Sequence, residues 1–156
     1  MHESGAVVLG FDYGGRRIGV AVGQRITGTA TALAVLGNGS HGPDWLAVDK
    51  LVREWRPAQL LVGLPLTISG EEQSASRAAR AFGRALHDRF GLPVHEHDER
   101  YSSRAAESAF SQARSRGEAR RKDAAMLDAQ AARMIVESYL AHLPPIDSII
   151  TPDEES

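Results

Sequence analysis

The 156-residue chain contains no cysteine. That absence excludes a disulfide framework, a thiolate zinc site and a thiol nucleophile. Aromatic residues are scarce, at 6%, and no apolar run approaches the ~20 residues that span a bilayer. Lysine is nearly missing: Lys50 and Lys122 stand alone, so 16 of the 18 cations are arginine. Neither sign of charge dominates, the formal total being −2, which argues against a uniformly basic surface. The opening Met1-His2-Glu3-Ser4-Gly5 has neither the basic n-region nor the apolar h-region of a secretory signal. A cytoplasmic protein with no membrane partner is the expectation.

What is present is 42% hydrophobic and 24% charged residues, enough for one compact domain with a real core. Residues 1–143 are expected to form it, followed by an acidic tail over 144–156. Ala6 to Tyr13 is nearly continuous apolar sequence, as in a strand buried on both faces. Gly14-Gly15 then turns the chain into Arg17–Val22, a hairpin partner. Gly28–Leu36 reads as a third strand, with Gly37-Asn38-Gly39-Ser40 breaking the sheet and Pro43 placed at a first helical position. Trp45, Val48, Leu51, Val52 and Trp55 recur at helical spacing up to Pro57, and Gln59–Leu64 is a short buried strand. Ser69-Gly70-Glu71-Glu72 has capping-box spacing, opening a helix that runs to Phe90 and stops at Gly91. Pro93–Glu99 reads as a strand, a short helix begins near Ser102, and a last helix covers about Asp123 to His142 before Pro144-Pro145. The order predicts an α/β protein: a mixed five-stranded sheet, three antiparallel strands then parallel ones, with helices on both faces.

Three acidic residues occupy expensive positions. Asp12 lies near the end of the most buried strand, between Phe11 and Tyr13, where an unpartnered carboxylate is costly. An Asx turn to the amide of Gly14 or Gly15 is the alternative role. Asp128 stacks at helical spacing with Ala132, Ile135 and Tyr139, on the face that packs inward. Its alternative is a salt bridge to Arg17 or Arg133. Glu99 ends a strand beside Arg100, with which it could simply pair. Brought together, the three carboxylates would repel unless a divalent cation neutralised them. Such hard oxygen ligands suit Mg²⁺ or Mn²⁺, and two ions can drive phosphodiester hydrolysis without an organic cofactor.

Other motifs point elsewhere. In a strand, His95, His97 and Glu99 share one face, a possible zinc half-site with no evident residue to orient it. Gly10-Phe11-Asp12-Tyr13-Gly14-Gly15 lacks the Lys-Ser/Thr of a phosphate loop, and a strand rather than a helix follows it. It resembles the Asp-Gly hairpin of actin- and hexokinase-type ATP-binding domains, which need two lobes where this chain has length for one.

The near-neutral total hides two unlike segments. Residues 100–122 carry seven cations against two glutamates, a local charge of +5, while residues 134–156 carry five acids and no arginine or lysine. The basic segment lies between Glu99 and the Asp128 helix, where a polyanion would have to bind. Arginine's planar fork matches phosphate oxygens. Arg16, Arg17, Arg100, Ser102, Arg114, Arg116, Arg120, Arg121 and Lys122 are the expected substrate contacts, nucleic acid the expected partner.

The sequence resembles the YqgF-type, RuvX-like family of Holliday junction resolvases and pre-16S rRNA nucleases, from about Val8 to Leu140. The likeness rests on Asp12-Tyr13-Gly14 with Arg17–Val22, Thr27-Gly28-Thr29-Ala30, Val62-Gly63-Leu64-Pro65-Leu66, Phe90–Val94, Asp98-Glu99-Arg100 and Asp128–Ala132. Tyr101-Ser102-Ser103 stands where the family has Leu-Thr-Thr, Thr67 replaces a frequent Asn, and Gln130 a smaller residue. The resemblance implies an RNase H-like fold and a metal-dependent nuclease centre at Asp12, Glu99 and Asp128, cytoplasmic processing of ribosomal RNA precursor, or resolution of branched DNA by a possible homodimer. A non-catalytic nucleic-acid or ribosome-assembly binder is the alternative outside the enzyme class.

Overall fold

A computed structural model of the protein describes residues 7–65, 74–98 and 121–143, the side chains of 121–125 excepted. The elements run β1 (Val7–Tyr13), β2 (Arg17–Gln24), β3 (Thr29–Gly39), β4 (Gly42–Pro43), α1 (Trp45–Trp55), β5 (Gln59–Leu64), α2 (Ser74–Phe90), β6 (Val94–Asp98) and α3 (Arg121–Ala141). One sheet takes the order β4-β3-β2-β1-β5-β6. The β1–β2, β2–β3 and β3–β4 pairs are antiparallel, and β1–β5 and β5–β6 are parallel.

The described sheet has six strands where five were expected. The extra one, β4, pairs only with Asn38 and Gly39. Gly37–Gly39 therefore continue β3 instead of breaking the sheet, and Pro43 sits in β4 rather than in a helix. Asp44 caps α1 in its place, accepting from the Ala47 amide at 3.2 Å. The capping-box residues 69–72 and the helix expected near Ser102 lie outside the described residues. The α2 stop at Gly91, with φ +68°, is as expected.

Strand alternation sorts β1 between two cores. Leu9 and Phe11 face α1 and α2 with Ile18, Val20, Leu60 and Val62, where Phe82 takes the rings of Phe11, Tyr13 and Trp45 at centroid distances of 5.5, 4.8 and 5.6 Å. Arg89 near the end of α2 grips Asp49 of α1 through two 2.8 Å bonds, and this pairing holds the Asp49 carboxyl below its usual pKa. Val8 instead faces α3 with Ala21, Leu61, Ala132, Ile135 and Val136. The α3 side is lined with small residues. A Cβ on Gly10 or Gly23 would run into Val136, and one on Gly19 into the backbone carbonyl of Asp128. Glycine in a strand interior commonly marks such a close backbone approach.

A side chain at Gly19 has no flexible neighbour to displace, because the obstacle is helix backbone. Gly19→Ala is expected to destabilise the fold by about 1–3 kcal/mol. Gly37→Ala, which meets nothing within 4 Å, is the control and should stay near neutral; urea denaturation of both measures the difference.

Candidate active site

Asp12 and Asp128 both border Gly19. The register pairs Asp12 of β1 with Gly19 of β2, and directly opposed residues of an antiparallel pair project to the same face, with Cβ atoms about 5 Å apart. The place a Gly19 Cβ would occupy is filled by the Asp128 carbonyl. The two carboxylate residues are thus neighbours on the α3 face of the sheet, although one opens the chain and the other lies near its end. Both are partly exposed. They sit at one end of the sheet, because Asp12 is next to last in β1 and the parallel β5 and β6 end at the same side. The carboxyl ends of parallel strands are where α/β sheets usually bind ligands.

Arg17 joins them. Two residues before Gly19 on β2, it projects to the same face, and its Nε donates to Asp128 Oδ2 at 2.6 Å. The salt bridge weighed for Asp128 is thus made to Arg17, not to Arg133, which bonds Gln130 at 2.6 Å and Glu137 at 2.8 Å. Side-chain exposures of 44% for Arg17 and 32% for Asp128 leave the pair open to solvent, so its contribution to stability is modest. The Asx turn weighed for Asp12 loses one of its donors, since the Gly14 amide goes to the Arg17 carbonyl at 2.9 Å.

Asp98, the residue before Glu99, is the last of β6. Glu99, Arg100, Ser102, Arg114, Arg116 and Arg120 lie outside the described residues; Arg121 and Lys122 open α3, their side chains outside the description. Arg16 is exposed in the turn beside Arg17. His97 is buried and its Nε2 lies 2.9 Å from Ser138 Oγ of α3. Burial first, then the neighbouring His142, pushes its pKa below the ordinary value, against the pull of Asp98. His95 packs by the Tyr139 ring at 5.8 Å. These contacts make the two histidines a tie between β6 and α3, and among the described residues no group of three His, Cys, Asp or Glu is placed to hold a metal.

Two residues carry roles that the sequence reading missed. Gly19 admits the helix backbone, and its signal was a glycine inside the β-branched run Ile18-Gly19-Val20. Asn38, 4% exposed, donates from Nδ2 to the Gly14 carbonyl at 2.6 Å. Nothing in its Gly-Asn-Gly context distinguishes it from a turn residue.

A divalent metal ion suits this pair. Asp12 and Asp128 offer hard oxygen donors on one face, and the Arg17 guanidinium already shows that Asp128 draws a cation there.

Residues 6–142 match the family described as "RuvX: Holliday junction resolvase". The chain is 49% identical over 146 residues to the "Putative pre-16S rRNA nuclease" of Xanthomonas euvesicatoria pv. vesicatoria (strain 85-10), covering 90% of this chain and 94% of the relative. The protein of the same name from Xanthomonas campestris pv. campestris (strain B100) gives the same figures. Among solved structures, T. thermophilus RuvC in complex with a Holliday junction substrate aligns with a TM-score of 0.51 at 18% identity, over 90% of this chain and 99% of that one. At that identity the likeness speaks to fold alone, and it agrees with the RNase H-like α/β architecture expected from the sequence. The chain belongs to the RuvX family.

Proposed function

We propose that this chain is a divalent-metal-dependent nuclease that hydrolyses phosphodiester bonds in structured RNA and trims the 5′ end of the small-subunit ribosomal RNA precursor. The observation that carries the reading is that Asp12 and Asp128 both border Gly19, at the carboxyl end of the parallel strands. The names of its close relatives favour RNA over DNA. In this proposal residues 1–143 form the nuclease domain, with 144–156 an acidic appendage, and the protein works in the cytoplasm. No described helix is long and apolar enough to cross a membrane.

Asp12, Glu99 and Asp128 would hold the metal, Mg²⁺ or Mn²⁺ and two ions in number. Bound there, the ions supply an activated water and charge stabilisation for the leaving oxygen. The remaining work falls to the chain. Asp12 and Asp128 would orient any bound cation from the sheet and from α3. Arg17 restrains Asp128 and, with Arg16, faces the substrate's phosphates from the hairpin. Arg100, Arg114, Arg116, Arg120, Arg121 and Lys122 would add positive charge toward the polyanion, and Ser102 a neutral hydroxyl donor.

Asp12→Asn keeps size and shape but removes a charge from the metal set. Cleavage of precursor RNA is expected to fall by about 10²-fold or more, because even residues that only orient metal ligands cost 10–100-fold; binding should persist or improve. The decisive measurement is a panel of precursor RNA, four-way DNA junctions and single strands, with Mg²⁺, Mn²⁺ or EDTA and with wild type beside Asp12→Asn. Equal cleavage by both proteins removes Asp12 from the site. Preferential cutting of junctions by a dimer makes the chain a resolvase. Binding that survives EDTA with no product under any metal makes it a non-catalytic binder.

Arg17→Ala should weaken RNA binding in EDTA and lower the slope of log affinity against log salt by about 1, one phosphate contact fewer. Filter binding across a salt series measures it, and an unchanged slope takes Arg17 out of the substrate contacts.

A further inference from the structure

The turn that carries Arg16 and Arg17 is only half closed by its own hydrogen bonds. Hairpins with tight turns favour the primed types, whose positive φ values match the twist of the strands. Neither Gly15 nor Arg16 has a positive φ; among the described residues only Gly28, Arg56, Gly42 and Gly91 do. Gly14 and Arg17 are linked by the Gly14 amide and the Arg17 carbonyl at 2.9 Å. The Gly14 carbonyl, which in a closed β-turn accepts from the residue three positions on, accepts from Asn38 Nδ2 at 2.6 Å. Asn38 also holds the far side of the turn, its own amide donating to the Arg16 carbonyl at 2.9 Å. Just beyond, the Asp44 amide bonds the Gly37 carbonyl at 3.0 Å, so the α1 N-cap fixes the strand that presents Asn38. The residue is 4% exposed, and its side-chain bond to Gly14 is partly shielded from water.

We propose that Asn38 is a positioning residue: bridging the Gly14 and Arg16 carbonyls, it sets the hairpin turn so that Arg17 rests on Asp128 and Arg16 and Arg17 together meet a substrate phosphate. The second half of this proposal rests on the nucleic-acid reading above; the first half does not. A carbonyl in a partly buried place that loses its donor keeps a desolvation cost, and the turn must shift to recover a partner in water. Arg17 is attached to that turn, so its guanidinium moves with it. The route from Asn38 to the candidate site is therefore one side-chain bond, one turn and one ion pair, with every group on the described backbone.

Asn38→Asp tests it with almost no change of shape, because the substitution replaces the amide donor by a carboxylate oxygen facing a carbonyl. Hydrogen exchange by NMR should show the Gly14 amide exchanging about tenfold faster, with the Arg17 Nε–H losing protection and the α2 amides unchanged. Affinity for precursor RNA in EDTA should fall by about tenfold in the wild-type background, yet by less than about twofold when Arg16 and Arg17 are both already alanine, since residues acting through one another are not additive. A merely structural asparagine would lower affinity by the same factor in both backgrounds, and that result overturns the positioning role. Unchanged exchange at Gly14 and Arg17 overturns the placement of the turn by Asn38. If the aspartate variant does not fold, Asn38→Ala removes the donor without adding charge and is read by the same two criteria. Wild type that binds no nucleic acid defeats the functional reading and the phosphate role with it, while the exchange result decides the turn separately.

Discussion

Everything at this site depends on how closely α3 lies on the sheet. A helix normally packs at a distance set by the side chains between it and its neighbour. Here the sheet presents Gly10, Gly19, Ala21 and Gly23 to the helix, and at Gly19 the separation is set by backbone alone. That contact has two effects. It buries Val136 against the glycines, giving α3 its apolar anchor. It also lowers Asp128 onto the strand pair that carries Asp12 and Arg17, so that groups far apart in the chain share a few ångströms of surface. A sheet lined with larger residues would retain both carboxylates and hold them apart.

The electrostatics follow from that proximity. Two carboxylate residues on one face repel, and the arrangement is tolerable because Arg17 sits beside Asp128 and because both acids keep access to water. A fully buried pair would have to neutralise or find an equal number of cations. Partial exposure suits the proposed function, in which divalent ions and a polyanion would arrive from solvent. The sheet's other face follows the opposite logic. There Phe11, Tyr13, Trp45 and Phe82 stack, and the Arg89–Asp49 clamp closes the two helices over them. Both faces of the sheet carry core, the α3 face also carries the candidate site at its carboxyl end, and alternation along β1 sorts residues between them.

Near-neutral net charge is compatible with this division. The −2 total combines the basic stretch 100–122 with the acidic residues after 134, and an average over unlike surfaces says little about any one of them. In the proposed function the arginines of the hairpin matter more than their number suggests. Arg17 is tied to a carboxylate and Arg16 is held through its carbonyl by Asn38. A cation fixed in place loses less entropy on meeting a phosphate than one on a free side chain.

Much of the fold was legible in the sequence. The apolar run of β1, the helical spacing of Trp45 to Trp55, the stop at Gly91 and the ordering of strands and helices are local and periodic signals. They follow from burial of every second or every third to fourth residue. Asp12 and Asp128 were legible for a related reason, as charges at positions whose neighbours are apolar. The errors also have physical causes. Gly37-Asn38-Gly39 carries turn chemistry, yet β4 supplies a partner and keeps it in the sheet; Pro43 suits a helix start, yet Asp44 takes the cap. The choice of Arg17 over Arg133 as the partner of Asp128, the close approach at Gly19 and the capture of the Gly14 carbonyl by Asn38 were decided only by tertiary structure. Periodicity specifies which face of an element is buried. Which groups meet across two elements depends on register and on the distance at which they pack, and both are set by contacts between residues far apart in the chain.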